Sequence, residues 1–321
     1  MPLPPLDRST IWPYHEGEPG PVFYRRYDHP TGEAAEAALG ALDGGRALLF
    51  PSGSAATTAL VLALLEPGRT VALAEGAYYG TAVLFRALAR WGLRFVEFDQ
   101  TGPPPAGADL IWVEAPSNPL LTMPDFAAAT AHGAPVVCDA TAGTPVFVRP
   151  LERGCAFALH SATKYLGGHD DVLLGAVVCA RDEDYERLHE FRSRSGVVAG
   201  PDEAWLLLRS LETLELRVRR QAHTAHELAE RLRSHPAVET VRYPDFGALV
   251  SFDVRGGAEA AQRVERSVRR IVNATSLGGT RSVLETRSRW EADRVPPGLV
   301  RLSVGLEDVE ELWDDLRRAL G

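Results

Sequence analysis

An α/β fold on a mostly parallel sheet, followed by a smaller α+β domain, is the architecture this chain of 321 residues predicts. Three features carry the prediction: short apolar runs recur between residues 46 and 180, helix-like segments separate them, and each run is continuously apolar. Strands that alternate no polar face are buried on both sides, which requires helices on each face of the sheet.

Residues 1–40 come first, rich in Pro, Gly, Tyr and charge, and they read as an extended arm that needs something else to pack against. The apolar runs follow as RALLF (46–50), TVALAE (70–75), RFVEFD (94–99), LIWVEAP (110–116), PVVCDAT (135–141), AFALHSAT (156–163) and LLGAVVCA (173–180). Between them GSAATTALVLALL (53–65) and TAVLFRALARW (81–91) have the length and spacing of connecting helices. Residues 41–200 therefore form the main domain. From 201 to 321 the pattern changes: one long bridging helix over 201–235, strands near 238–243, 248–254 and 298–305, a helix near 257–270 and a final helix, DVEELWDDLRRAL.

Composition narrows the function. The chain is 45% hydrophobic and 24% charged, the profile of a globular enzyme-sized protein. A net charge of −9 argues against nucleic acid and anionic membrane as partners. No apolar run approaches the roughly 20 residues that cross a bilayer, and the start, MPLPPLDRSTIWPYHEGEPG, lacks the pattern of a signal peptide, so a cytoplasmic address is expected. Cys138, Cys155 and Cys179 lie in apolar stretches without CxxC spacing and are expected as buried free thiols. His223 and His226 sit three apart among charges, without HExxH, and read as a solvated face; no metal is expected. No GxGxxG follows a strand, which removes the usual nicotinamide fingerprint.

Ligands of open α/β sheets lie outside the carboxyl ends of the strands, so the polar residues that end each run matter first. Gly53 and Ser54 open a helix whose free N–H groups suit a phosphate, although Ser-Gly helix starts are common. Asp139 ends an apolar run, where a carboxylate needs a cation or donors. Ser161, Thr163 and Lys164 end the next; Lys164 is either an ordinary strand-end lysine or an amine whose partial burial frees it as a nucleophile. Phosphate donors, a buried acid and a buried lysine together match the needs of pyridoxal 5′-phosphate (PLP): the aldehyde condenses with Lys164 and Asp139 keeps the ring nitrogen protonated. Arg301 interrupts the apolar LVRLSV; it points to solvent from an edge strand or grips a substrate carboxylate with its planar fork.

The segment SATKYLGGHDDVLLG (161–175) closely resembles the lysine-bearing segment of the Cys/Met-metabolism family of PLP enzymes, which includes cystathionine γ-synthase, the cystathionine lyases, methionine γ-lyase and the homoserine-ester sulfhydrylases. Further blocks follow in order: YRRYDHPT (24–31), PSGSAA (51–56), AYYGT (77–81), EAPSNP (114–119), CDAT (138–141), TSLGG (275–279) and RLSVGLED (301–308). The resemblance implies a type I PLP fold, with PLP carried on Lys164 in the 41–200 domain. It implies Gly53, Ser54, Ser161 and Thr163 as phosphate ligands, Tyr78 as the ring stacked on the cofactor and as a proton donor to sulfur, and Asn118 and Thr141 beside Asp139 in the cofactor set. Tyr24 and Arg26 would reach the phosphate of a neighbouring subunit, and a homotetramer with shared sites follows. Arg301, with Ser276 and Leu277, would hold the substrate α-carboxylate.

Departures from the family pattern bear on the substrate. After TSLGG this chain has Arg281 where the family carries a glutamate that meets a distal ammonium, and Arg287 and Arg289 add positive charge nearby. The loop near 244–247 is short, which opens the entrance, and His29 stands where an asparagine is usual. The implied activity is that of a carbon–sulfur lyase of the cystathionine γ-lyase kind, acting on a sulfur amino acid as its small-molecule substrate. γ-Replacement from an activated homoserine is the alternative, and a catalytically silent PLP-binding protein the third.

Overall fold

The computed structural model describes residues 3–321. Its larger sheet contains β1 (Arg46–Phe50), β2 (Thr70–Ala74), β3 (Arg94–Phe98), β4 (Leu110–Glu114), β5 (Val136–Asp139), β6 (Phe157–His160) and β7 (Gly175–Cys179), in the order β1-β7-β6-β5-β4-β2-β3. Each strand lies inside one apolar run of the sequence. The pairs β2–β3, β2–β4, β4–β5 and β5–β6 are parallel, whereas β7 is antiparallel to both its neighbours. Every residue of β4, β5 and β7 is buried, as continuous hydrophobicity requires, and only the edge strand β3 is largely open.

Helices cover both faces. Before β1 lies α1 (Pro30–Asp43); α2 (Gly53–Leu64), α3 (Tyr79–Leu88), α4 (Phe126–Ala131), the single turn α5 (Thr144–Phe147) and α6 (Asp182–Ser195) follow. Successive strand residues point to opposite faces. Thus Leu48, Trp112 and Val177 pack with Leu60, Phe85 and Leu188 on one side, while Leu49 and Val178 join Leu39 of α1 on the other. Each such side chain stabilises the fold by roughly 1.5–3 kcal/mol through burial.

The extended arm ends at His29, earlier than the sequence suggests. α1 starts at Pro30, which presets the helical φ, but His29 makes no side-chain capping bond, so the usual start signal is missing. A second difference concerns residues 201–235, which form two helices, α7 (Pro201–Leu211) and α8 (Leu214–Arg233). At the break, Ser210 O accepts from Thr213 N (3.2 Å) and from Arg217 Nη2 (2.9 Å). The buried Arg217 also donates to Tyr165 O at 2.9 Å, which ties α8 to the segment that carries Lys164.

The smaller sheet has the order β10-β11-β12-β9-β8, from β8 (Val238–Arg242), β9 (Leu249–Val254), β10 (Val272–Asn273), β11 (Val283–Thr286) and β12 (Leu299–Ser303). β10 and β11 were not evident in the sequence. α9 (Gly257–Ser267), the short α10 (Ser288–Glu291) and α11 (Val309–Leu320) complete the chain. Phe252, Val300 and Leu302 of this sheet share one apolar cluster with Leu39, Leu207 and Leu228, so the two sheets are joined by a common core. The short 244–247 connection packs Phe246 on Phe147, ring centroids 5.8 Å apart.

Asp43 and His160 form a fully buried pair between α1 and β6, Oδ2 to Nε2 2.9 Å. Burial alone pulls His160 down, but the Asp43 carboxylate outweighs it and holds the imidazole above its ordinary value. The pair's contribution is therefore complete below the ordinary histidine value and is lost as pH rises through the raised one. Asp43→Asn should cost about 3 kcal/mol near neutral-to-acid pH, the range for breaking a buried pair. Denaturant unfolding should show the gap to wild type narrowing as pH rises; a constant gap would remove the imidazolium from the account.

Candidate active site

The carboxyl ends of β1, β4, β5 and β6 open into a cavity of about 440 Å³, closed from the far side by the loop before β11 and by β12. The first sheet contributes Gly53, Ser54, Tyr78, Asn118, Asp139, Thr141, Ser161, Thr163 and Lys164 to its lining. The second contributes Ser276, Leu277 and Arg301.

At the start of α2 the Ser52 hydroxyl caps Ala55 N at 3.1 Å, which leaves the first N–H groups of the helix for an anion. A Cβ at Gly53 would lie 3.0 Å from Ser161 Cβ, so glycine here lets the helix start close on the strand beside it. Thr163 Oγ1 bonds Leu174 O and N at 3.1 and 2.9 Å, fixing the turn before Lys164.

Asp139 is buried and accepts from Thr141 N (3.0 Å) and Thr141 Oγ1 (2.5 Å), both at Oδ1. Thr141 Oγ1 in turn receives Ser161 N at 2.8 Å, so the two strand ends are braced together. Burial pushes the Asp139 carboxyl above its ordinary range, against those donors and the His160 charge. The half-buried Lys164 donates from Nζ to Ser276 Oγ at 2.7 Å. Burial first, and the Arg301 charge second, pull its ammonium below the ordinary lysine value and favour the free amine. Close approach of the two segments depends on Gly278, at φ +85°, where a Cβ would lie 2.6 Å from Tyr165 N.

Arg301 lies on β12, the middle strand of the smaller sheet, and is buried, so the reading as a solvent-facing edge residue is excluded. It donates to Asn118 Oδ1 (2.8 Å), Ser276 O (2.7 Å) and Glu285 Oε1 (2.6 Å). Burial lowers its guanidinium to about 10, which leaves it cationic at neutral pH. Tyr78 packs edge-on against Tyr79 at 5.0 Å, and burial raises its phenol, so it keeps its proton.

Three expected residues lie elsewhere. Tyr24 and Arg26 do not line the cavity of their own chain: Arg26 donates to Ser193 O at 2.5 Å and lies over the Tyr27 ring. Arg281 is exposed and lines a second cavity with Asp170 and Asp171, which shares Thr163, Leu173, Thr275 and Ser276 with the first. The positive charge expected beside it is largely cancelled. Arg287 is buried between Glu285 and Glu291, at 2.7 Å from each, and Arg289 pairs with Glu265 at 2.6 Å. His223 and His226 are both exposed on α8, His223 against Glu227 at 3.0 Å.

Several site residues escaped the sequence. Glu114 ends β4 beside Asp139 of β5, receives Tyr78 N at 2.5 Å, and burial with the neighbouring Asp139 charge raises its carboxyl strongly. It stands at a strand end inside the EAPSNP block, so the rule that found Asp139 could have found it. Tyr79, Arg287 and Trp290 also line the cavity, with Tyr79 and Trp290 stacked at 6.3 Å.

An anion-receiving helix start, a buried acid held by the Thr141 donors and a lysine whose ammonium is disfavoured by burial fit the phosphate, the ring nitrogen and the aldehyde of PLP in turn. The fold is that of a type I PLP-dependent enzyme. Residues 4–321 match the family of Cys/Met metabolism PLP-dependent enzymes, and the chain belongs to it. It is 39% identical to an L-methionine γ-lyase of Streptomyces avermitilis, over 99% of this chain and 84% of that one. It is 38% identical to a cystathionine γ-synthase of Mycobacterium bovis, over 93% and 86%. The crystal structure of a cystathionine γ-lyase from Micromonospora echinospora superposes with a TM-score of 0.93 at 37% identity, covering 99% of this chain and 93% of that one.

Proposed function

We propose that the protein is a PLP-dependent carbon–sulfur lyase that eliminates the γ-sulfur substituent of a sulfur amino acid, in the manner of a cystathionine γ-lyase. The observation that carries this reading is the meeting of Lys164 Nζ with Ser276 Oγ at 2.7 Å, in one cavity with the Asp139 carboxylate and the Arg301 guanidinium. The named γ-lyases among the relatives support it.

Bound PLP supplies an electron sink for negative charge at the substrate α-carbon. Toward that group, Gly53, Ser54, Ser161 and Thr163 would hold phosphate, Asp139, oriented by Thr141, would keep the ring nitrogen protonated, and Tyr78 and Asn118 would serve the ring. Lys164 takes the α proton and then a proton from the β-carbon, whose released electron pair expels the γ-sulfur. Arg301, with the backbone of Ser276 and Leu277, orients the substrate through its α-carboxylate, and Tyr78, which retains its phenolic proton, gives it to the departing sulfur. Tyr24 and Arg26 serve a neighbouring subunit's phosphate, in a homotetramer of cytoplasmic location. γ-Replacement, as in the M. bovis synthase, uses the same residues and is the second reading.

The test is a substrate panel. L-Cystathionine alone should yield a 2-oxo acid and cysteine; product only from an acylhomoserine plus a thiol would select replacement. Arg281 is the distal determinant we infer, because its exposed cation at the rim opposes a distal ammonium. Arg281→Glu should raise kcat/KM for cystathionine about tenfold, equivalent to ~1.4 kcal/mol, and leave methionine, which has no distal charge, unchanged. Equal changes on both substrates would take Arg281 out of recognition.

A further inference from the structure

The hydrogen-bond inventory of Arg301 leaves its role incomplete. A guanidinium has five N–H donors, and it grips a carboxylate bidentately either end-on, through Nη1 and Nη2, or side-on, through Nε and Nη2. Both modes need Nη2. Here both Nη2 hydrogens are engaged, by Ser276 O at 2.7 Å and Glu285 Oε1 at 2.6 Å, while Nε is buried without a partner. A carboxylate belonging to the protein thus occupies the prong that a substrate carboxylate requires.

Of the two acceptors, Ser276 O is backbone, whereas Glu285 has other donors to turn to. Its Oε1 also receives Arg287 Nη1 at 2.7 Å, and its Oε2 receives Trp290 Nε1 at 3.0 Å. Thr275 Oγ1 adds a longer contact at 3.4 Å. Glu285 can therefore leave Arg301 and remain paired, which avoids stranding a buried charge. Arg287 in turn keeps Glu291 at 2.7 Å.

We propose that Glu285 is a resident carboxylate that holds Arg301 in the substrate-free site and is handed over to Arg287 and Trp290 when an amino-acid carboxylate arrives. Glu285 is then a positioning residue that sets amino-acid affinity by competition, and Arg287 is the receiver that limits that competition. The inference rests on the assignment of the substrate α-carboxylate to Arg301.

The experiment titrates the PLP-loaded enzyme with L-alanine, which has no γ substituent to lose, and with ethylamine, the same amine without its carboxylate, following cofactor absorbance. Glu285→Gln should tighten L-alanine about fivefold or more and leave ethylamine unchanged. Glu285→Asp, whose shortened carboxylate withdraws from Arg301, should act in the same direction if the glutamine variant folds poorly. Arg287→Met should weaken L-alanine, and that loss should vanish in the Glu285→Gln background. An unchanged or weaker L-alanine affinity in both Glu285 variants, or an equal shift for the two ligands, overturns the proposal. Arg301→Lys separates the two layers. If it leaves L-alanine unchanged, the assignment of the carboxylate to Arg301 falls; if it weakens L-alanine while the Glu285 variants do nothing, only the exchange falls.

Discussion

Lys164→Ala should lower turnover by a factor on the order of 10³ or more, the upper part of the range for a positioned proton-transfer group, and should leave PLP removable by dialysis. Two functions are lost together. The amine that links to the aldehyde disappears, and so does the base within reach of the α proton. Neither has a substitute nearby: the other nitrogen bases lining the cavity are Arg287 and Arg301, both engaged by carboxylates. The Ser276 hydroxyl, which meets Nζ at 2.7 Å, is no base at neutral pH. Added methylamine should restore part of the proton transfer but none of the cofactor's covalent retention, and absorbance after dialysis separates the two effects. Retention of PLP by the variant at wild-type level would refute the assignment.

Asp139→Asn is expected to reduce kcat by about 10²–10³, the cost of removing one fixed electrostatic partner from a buried site. The replacement is nearly isosteric, and its amide oxygen can still accept from Thr141 N and Oγ1, so the cavity keeps its shape. What changes is charge. Burial raises the Asp139 carboxyl, so the folded protein without cofactor binds that proton more tightly than the unfolded chain does. Ionising the group therefore opposes folding, and the cost sets in as pH rises from the ordinary carboxylate value through the raised one. The apo form of Asp139→Asn should accordingly be more stable than wild type at neutral pH while the loaded enzyme is impaired. Calorimetry of the apoprotein together with steady-state rates measures both halves; a variant that is both less stable and fully active would contradict them.

The strands of the larger sheet, the edge strand β3 apart, were legible because they are nearly continuous apolar runs, and their ends led directly to Asp139 and Lys164. Local signals failed where tertiary structure decides. α1 begins behind a histidine that does not cap it, and the α7–α8 break falls in a run of mostly good helix formers, where Thr213 and Arg217 together take up Ser210 O. β11 is four residues long and carries Glu285 and Thr286, both buried, so neither alternation nor an apolar run marks it. For the same reason Arg287 counted as free positive charge in the sequence, although two carboxylates brought from β11 and α10 neutralise it. The arm's Tyr24 and Arg26 rested on family resemblance alone, since nothing in their spacing points to another subunit.

On the proposed roles, the cofactor would be anchored from one sheet and the substrate carboxylate gripped from the other, with α6, α7 and α8 forming the passage between them in sequence. The two sets are contiguous in sequence although their sheets share one core. A recombination crossover within that passage would graft a relative's substrate preference onto an unaltered cofactor cradle in a single event, provided the Asn118–Arg301 and Lys164–Ser276 seams still match.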